Sequence, residues 1–270
     1  FSPKTKLILN NRYFYSLQES FYAINSAKIN VGGNGQTNDL NLNPVLTHKF
    51  NSKVSTQMRF LLSEFRFTQQ LDSLANQKRY YYDDFRQGFY RAENQTDIEL
   101  NKNNTLTFGG GYTLQTVNTT RYREMKQQHL FYGFAQNEWH AFNQLVLIGG
   151  LRYDYNTAFN ARISPKLAVN YKLNEKVKIN ASYGAGFKAP DFRQLYLSFI
   201  NNAADGYSIY GANEFSIAQL EQQKQQGVIA QILAPAYQIT ALNPEISRGF
   251  NLGVQISPLQ KLKADANLFR

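Results

Sequence analysis

The sequence predicts an all-β protein, an antiparallel up-and-down transmembrane β-barrel. Three observations lead there. About eleven segments alternate apolar and polar residues at period two, as strands do when one face meets an apolar medium and the other meets water. Connections alternate too: they are short at 51–53, 102–103, 141–142, 174–175 and 258–260, and mostly long between these. Up-and-down strands gather short turns at one rim and long loops at the other, as membrane barrels do; a soluble sandwich has no reason to segregate them. Finally, many of the 18 Tyr and 20 Phe fall near strand ends, where aromatic girdles meet the two membrane interfaces.

From the N-terminus, Lys4 to Leu17 is a first strand and 18–39 a loop, in which the glycines of Val31-Gly-Gly-Asn-Gly-Gln36 make turns. Leu40 to Phe50 runs back, Asn51-Ser-Lys53 is a tight turn, and Val54, Thr56, Met58, Phe60 and Leu62 mark a face of the next strand. A second long loop covers about 70–90. Thr96, Ile98 and Leu100 alternate with polar residues up to a turn at Lys102-Asn103, and Leu106, Phe108, Gly110, Tyr112 and Leu114 mark the returning strand. After a loop near 118–126, Gln128 to His140 descends and Ala141-Phe142 turns it. Leu145, Leu147, Gly149, Leu151, Tyr153 and Tyr155 form the next apolar face; Leu167, Val169, Tyr171 and Leu173 continue the scheme to a turn at Asn174-Glu175.

The strand that follows shows the pattern best. Val177, Ile179, Ala181, Tyr183, Ala185 and Phe187 face one side; Lys176, Lys178, Asn180, Ser182, Gly184 and Gly186 face the other. Pro190 lacks an amide donor and biases Ala189 away from helix, so the strand stops and the longest loop, 189–245, begins. It carries one helix signal, near 217–226: Ser216-Ile-Ala-Gln219 has capping-box spacing, helix formers follow, and Gly227 can end the helix. Asn243-Pro244 closes the loop, Phe250, Leu252, Val254 and Ile256 resume the alternation, and Pro258 to Lys261 turns into a last strand.

Composition narrows the classes. No run approaches the ~18 apolar residues of a membrane helix. A mean hydropathy of −0.48 leaves a barrel open, because barrel strands alternate and their loops are polar. The absence of cysteine excludes disulfide and thiolate chemistry. The net charge of +10 suits nucleic acid, an acidic ligand or anionic lipid, and equally a solvated surface of scattered Lys and Arg. No secretion signal is visible: Phe1-Ser-Pro-Lys-Thr-Lys-Leu7 already reads as the start of a strand, the chain finishes within another, and both ends look cut.

The glycines of 31–36 lack the Gly-Lys-Ser/Thr ending of a phosphate loop. Lys78-Arg-Tyr-Tyr-Tyr-Asp-Asp-Phe-Arg86 interleaves basic and aromatic side chains, as nucleic-acid binders do. The acids beside them and the β-rich chain favour instead a ligand-facing or interfacial loop, with Tyr81 and Arg86 as contacts and no nucleic-acid partner. In the longest loop Arg193, Tyr196, Tyr207 and Tyr210 could cover a bulky ligand by stacking and charge pairing, or only pack the loop itself. No catalytic set stands out: there is no Cys, no His pair at metal spacing and no Gly-x-Ser-x-Gly elbow, and Asp83-Asp84 reads as a solvated pair. The reading is of a non-enzyme without metal site or cofactor.

Four patterns resemble, in order and spacing, the barrel part of TonB-dependent outer-membrane receptors. They are Phe134-Ala-Gln-Asn-Glu-Trp139, Gly150-Leu-Arg-Tyr-Asp154, Ser182-Tyr-Gly-Ala-Gly-Phe-Lys-Ala-Pro-Asp191 with Leu195-Tyr196, and Leu242-Asn-Pro-Glu-Ile-Ser247. The likeness is clear over 128–270, and the earlier part fits by strand pattern. Gly186, Phe187, Lys188, Ala189 and Pro190 carry it before the longest loop; Asn243, Pro244 and Glu245 carry it after. That family's fold is a 22-stranded barrel plugged by an N-terminal domain. The resemblance therefore implies that 1–270 is about half of such a barrel, truncated at both ends, with the plug domain absent and 189–245 an extracellular loop.

It further implies a receptor in the outer membrane of a Gram-negative bacterium, surrounded by outer-membrane lipid, that takes up a scarce small-molecule nutrient. In this family the nutrient is commonly a ferric siderophore, haem or cobalamin, and the TonB energy-coupling protein acts through an N-terminal segment that is absent here. An iron chelate is favoured. Haem receptors of this type usually place a histidine between the two motifs flanking the longest loop, whereas His48, His129 and His140 lie elsewhere; tyrosine can also ligate haem iron, so haem is disfavoured only. The alternative is a passive porin or a structural or adhesive barrel, without a plug or TonB-contacting segment upstream of Phe1. A half-barrel leaves two open sheet edges that lipid cannot satisfy, so these residues are expected to aggregate alone or to need a partner sheet.

Overall fold

The computed structural model describes residues 2–24, 28–122, 124–201, 207–238, 242–259 and 262–270, without the side chains of 199–201 and 207. Its strands are β1 (Thr5–Ile24), β2 (Ile29–Lys49), β3 (Val54–Ser73), β4 (Arg79–Asn101), β5 (Asn104–Thr119), β6 (Lys126–Phe142), β7 (Leu145–Asn156), β8 (Phe159–Lys172) and β9 (Val177–Lys188). After the longest loop come β12 (Glu245–Leu259) and β13 (Leu262–Phe269). These form one antiparallel sheet of eleven strands in the order β1 to β9, β12, β13, each strand beside its neighbour in sequence. The loop holds a second hairpin, β10 (Ser198–Asn201) with β11 (Tyr207–Tyr210), the helices α1 (Phe192–Tyr196) and α2 (Ile217–Gln225), and a 3₁₀ turn, Ala234–Gln238. No helix among the described residues is long and apolar enough to cross a membrane.

Strand register places the predicted faces side by side. The rows Leu46–Met58, Phe60–Ala92, Tyr112–Phe131, Trp139–Leu147, Leu147–Val169 and Ala181–Leu252 all lie on the apolar face. Trp139 and Leu151 there remain 46% and 60% exposed, because the face has no protein partner. Phe131 and Trp139 stand eight positions apart on β6, which is ~27 Å along a strand and ~20 Å of height at a tilt of about 40°, close to a lipid-facing band of about 25 Å. The opposite face is polar and internally paired. Arg59 Nη1 donates to Glu93 at 2.7 Å, the Tyr132 hydroxyl donates to the same carboxylate at 2.5 Å, and the Arg152 guanidinium lies 3.9 Å above the Tyr132 ring.

The hairpins are longer than the sequence pattern indicates. β1 to β4 hold 20, 21, 20 and 23 residues, so the predicted loops at 18–39 and 70–90 are paired sheet. The connections there span only 25–28 and 74–78. A 20-residue strand rises ~50 Å at the same tilt, twice the apolar band, so its upper half stands in water with polar residues allowed on both faces. Alternation lapses there while hydrogen bonding continues. The glycines of 31–36 are likewise strand residues: Gly33 lies against β3 so closely that a Cβ would sit 2.0 Å from the Gln70 carbonyl oxygen.

The expected segregation of loop lengths reduces to a single long loop, since 120–125 and 157–158 are short as well. Phe142 still pairs with Leu145, which moves that turn to 143–144. Pro258 belongs to β12 beside a register shift, and Gln260 and Lys261 of the expected turn lie outside the described residues. At the lower rim Asn51 and Asn174 build the same turn, each Oδ1 accepting the amides two and three residues on, at 2.8 and 2.9 Å.

β1 pairs only with β2, and β13 only with β12. Refolded alone into phosphatidylcholine vesicles, the 270-residue chain is expected to yield oligomers or aggregates, because edge amides and carbonyls in hydrocarbon lack partners. A protease-protected monomer would contradict that expectation.

Candidate ligand site at the upper rim

The rim bearing loop 189–244 is built from β9, and the two motifs flanking the loop form its stem. Gly186, Phe187 and Lys188 pair with Ser247, Ile246 and Glu245. Ala189 and the buried Pro190 lead out of β9, while Asn243 and the buried Pro244 lead into β12. Phe187 sets its ring edge-on to Phe159 at 6.1 Å. Residues more than fifty apart in sequence thus make one double-stranded base.

α1 follows at once, because Asp191 caps it. Its Oδ1 accepts from the Gln194 amide at 2.8 Å and Gln194 Oε1 accepts from the Asp191 amide at 2.9 Å. Asp191-Phe-Arg-Gln194 has the same spacing as the Ser216 cap of α2, so the signal is present in the sequence although the reading above assigns no helix there. The β10–β11 hairpin folds back on α1: Gly211, Ala212 and Asn213 amides donate to the carbonyls of Leu197, Gln194 and Leu195 at 2.6, 2.8 and 2.8 Å.

α1 reaches away from its own stem to the polar face of β4, β5 and β6. Phe192 is buried against Val117 and Tyr122, with Phe85, Tyr196 and Leu197 packed around them. Tyr122 and Tyr196 meet edge to face at 6.5 Å, and Lys126 Nζ lies 4.6 Å from the centre of the Tyr196 ring. Beside this cluster Asp83, 3% exposed, accepts from Thr120 Oγ1 and Arg121 Nη2, both at 2.6 Å, and from the Tyr81 hydroxyl at 3.2 Å. Arg121 also donates to the Tyr81 oxygen at 2.9 Å, so one guanidinium binds the buried carboxylate and the phenol together. Burial pushes the Tyr81 hydroxyl above its usual range, and the hydrogen bond from Arg121 opposes it. Burial raises Tyr122 as well, helped by the charge of Asp191.

The candidate residues divide. Tyr81 and Tyr196 come to the same face, joined by the groups between them, and Arg193 is exposed on the same short helix as Tyr196. Arg86 points to the opposite face, beside Asp84. Tyr207 pairs with Asn201 through its backbone, and its side chain lies outside the described residues. Tyr210 instead borders a cavity of about 300 Å³ against α2, with Phe215, Gln219 and Gln223. Arg121, Tyr122, Lys126 and Phe192 are the participants that sequence reasoning missed. Only the β-turn residues Thr119-Thr120 before Arg121 and the cap before Phe192 hint at them. Among the described residues no three His, Cys, Asp or Glu side chains cluster as metal ligands.

Residues 3–270 match the model of the TonB-dependent receptor-like β-barrel. The chain belongs to that family. Its members are β-barrels of the Gram-negative outer membrane, and the apolar band is the surface that meets lipid. No curated protein matches it in sequence. Among solved structures, the siderophore receptor PirA from Pseudomonas aeruginosa superposes with a TM-score of 0.58 at 14% identity, over 98% of this chain and 51% of that one. A variant of the ferric enterobactin receptor PfeA from the same organism gives 0.67 at 15% identity, over 99% and 40%. The FrpB iron transporter from Neisseria meningitidis gives 0.66 at 11% identity, over 98% and 42%. The chain spans about half the length of these structures or less, and at such identities the likeness is one of fold.

Phe192→Ala in the receptor that contains this chain is expected to cost the loop anchor about 3 kcal/mol. Hydrogen exchange should then quicken in 191–213 and at 119–126, with the sheet below unaffected. Because the pKa values of Tyr81 and Tyr122 are raised on folding, their stabilisation is complete below pH ~10 and is lost as pH rises toward the folded values. An alkaline titration should therefore show tyrosinate absorbance from these two appearing late, together with protease sensitivity of the loop.

Proposed function

We propose that this chain forms barrel wall and ligand-capturing loop of an outer-membrane receptor that imports a scarce nutrient, with an iron chelate as ligand and TonB as the source of energy. Family membership supports uptake across the outer membrane, and the printed names of several structural neighbours, siderophore and iron receptors, support the ligand class. The observation that carries the reading is convergence. A loop rooted at β9 is anchored on the polar face of β4 to β6, so it reaches over the mouth that those strands border on its extracellular side.

The anchored surface suits an anionic, aromatic-rich chelate. Arg193 supplies charge, Tyr196 a ring for stacking with Lys126, itself paired to Glu124 at 2.9 Å, against it, and Tyr81 with Arg121 a polar floor. Tyr210 lies against α2, away from this surface, and Arg86 faces the other side of the wall and is not part of it; Tyr207 is kept as a loop contact on its sequence position alone. A passive pore is the weaker reading, since an anchored loop of this length obstructs free diffusion. A structural or adhesive barrel would have no use for the cationic and aromatic groups gathered there.

The test is uptake of radiolabelled ferric chelates by iron-starved cells that carry the encoding gene on a plasmid in a deletion background. Arg193→Ala with Tyr196→Ala is expected to raise the half-saturating concentration by about tenfold, the loss of one or two exposed charge and stacking contacts. Import should stop when the proton gradient is dissipated. Unchanged iron uptake in the deletion strain would sink the iron assignment, and steady conductance of the purified receptor in a planar bilayer would favour a pore.

A further inference from the structure

Two hollows on the lipid-facing surface lie next to each other. The lower, about 420 Å³, is lined by Leu42, Pro44, Phe60, Leu62, Ala92 and Tyr112. The upper, about 480 Å³, is bordered by Tyr13, Glu64, Arg66, Arg86 and Asn118. Tyr90 belongs to both. Register explains the change in character. Leu42, Leu62 and Tyr90 stand in one row; the next row up is Tyr13, Leu40, Glu64, Gly88; the row above that is Tyr15, Asn38, Arg66, Arg86, Asn118.

Arg66 and Arg86 are direct cross-strand partners, a placement that like charges make unfavourable unless an anion lies between them. Asp84 supplies one: it accepts Nε and Nη2 of Arg66 at 3.2 and 3.1 Å, and those of Arg86 at 3.3 and 2.9 Å. Asp84 and, one row lower, Glu64 balance the two guanidinium charges, but the guanidiniums keep unspent N–H donors on side chains 46% and 53% exposed. Glu64, a row lower, is turned to the Tyr90 hydroxyl at 2.6 Å. Gly88 has no side chain, and the Tyr90 ring and Thr116 take the space beside it: a Cβ there would lie 2.7 Å from both Thr116 Oγ1 and the Tyr90 ring. Arg86 stands four residues beyond Tyr90 on β4, which is ~14 Å along the strand and ~10 Å higher, the step from acyl boundary to headgroup in a tilted barrel.

We propose that these two neighbouring hollows hold one phosphorylated lipid of the outer leaflet, an acyl chain in the lower hollow and a phosphate on Arg66 and Arg86. The apolar trough and the guanidinium pair above it match the two ends of such a molecule, and Asn38 and Asn118 flank the pair with further donors. The inference rests on the membrane placement of the apolar face and is independent of which nutrient the receptor imports.

The experiment is native mass spectrometry of the complete receptor, extracted from outer membranes in mild detergent, with the retained lipids identified. Wild type is expected to keep one phosphorylated lipid, and Arg66→Ala with Arg86→Ala to reduce that occupancy by about tenfold or more, the loss of charge-assisted hydrogen bonds. Heat-modified gel mobility confirms folding, and Lys102→Ala at the other rim serves as the control. Ala92→Trp, which fills the trough and spares the arginines, should lower occupancy as well. Retention that ignores all these changes overturns the proposal. So does binding of inorganic phosphate that competes fully for the arginines while Ala92→Trp has no effect, because the site would then be one for free phosphate.

Discussion

Backbone hydrogen bonding governs this molecule. In hydrocarbon an amide or carbonyl without a partner costs several kcal/mol, so each strand must be paired along its membrane length with both neighbours. Nine of the eleven strands, set in sequence order, satisfy that demand with the shortest connections, and each of the described connections at the lower rim has four residues or fewer. The period-two alternation follows, since a paired strand can only divide its side chains between two faces. The same demand explains why the sheet continues beyond the membrane. Once strands are registered, extending them keeps each amide paired, and water on both sides removes the need for alternation.

The loop obeys a different rule. Above the membrane the apolar effect again requires water, and the cluster of Phe192, Val117 and Tyr122 behaves like a small core of a soluble protein. It is made from β5, the turn after it and a helix that starts beyond β9, so it ties distant parts of the rim together. The buried Asp83 beside it holds the turn of Thr120 and Arg121 in place, which fixes the surface on which α1 rests. Loop and wall therefore present one continuous surface, and the charge and rings around Tyr196 have positions set by packing.

The outer surface shows how register can create chemistry that neither strand contains. Arg66 and Arg86 are twenty residues apart and become opposed only when β3 and β4 pair. Asp84 joins them because it lies two residues from Arg86 on the same face. Gly88, one row lower, leaves the space that Tyr90 crosses. The sequence reading grouped Arg86 with Tyr81 as residues of one loop, whereas pairing sends odd and even positions of that segment to opposite sides of the wall.

Strand identity, the apolar face of each strand, the turns at Asn51, Lys102 and Asn174, and the family motifs at 186–190 and 243–245 were determined by the sequence alone. All are local: they depend on alternation, on an Asx side chain two residues from an amide, or on proline geometry. Tertiary structure decided the rest. Strand length beyond the membrane depends on a neighbour that supplies hydrogen bonds, which a polar stretch such as Gln69-Gln70 or Asp83-Asp84 does not advertise. The glycines at 32 and 33 look like turn residues until a phenylalanine and a carbonyl from adjoining segments are placed against them. The loop anchor depends on Phe192 meeting Val117 and Tyr122 across seventy or more residues of chain, a contact that no period or spacing encodes.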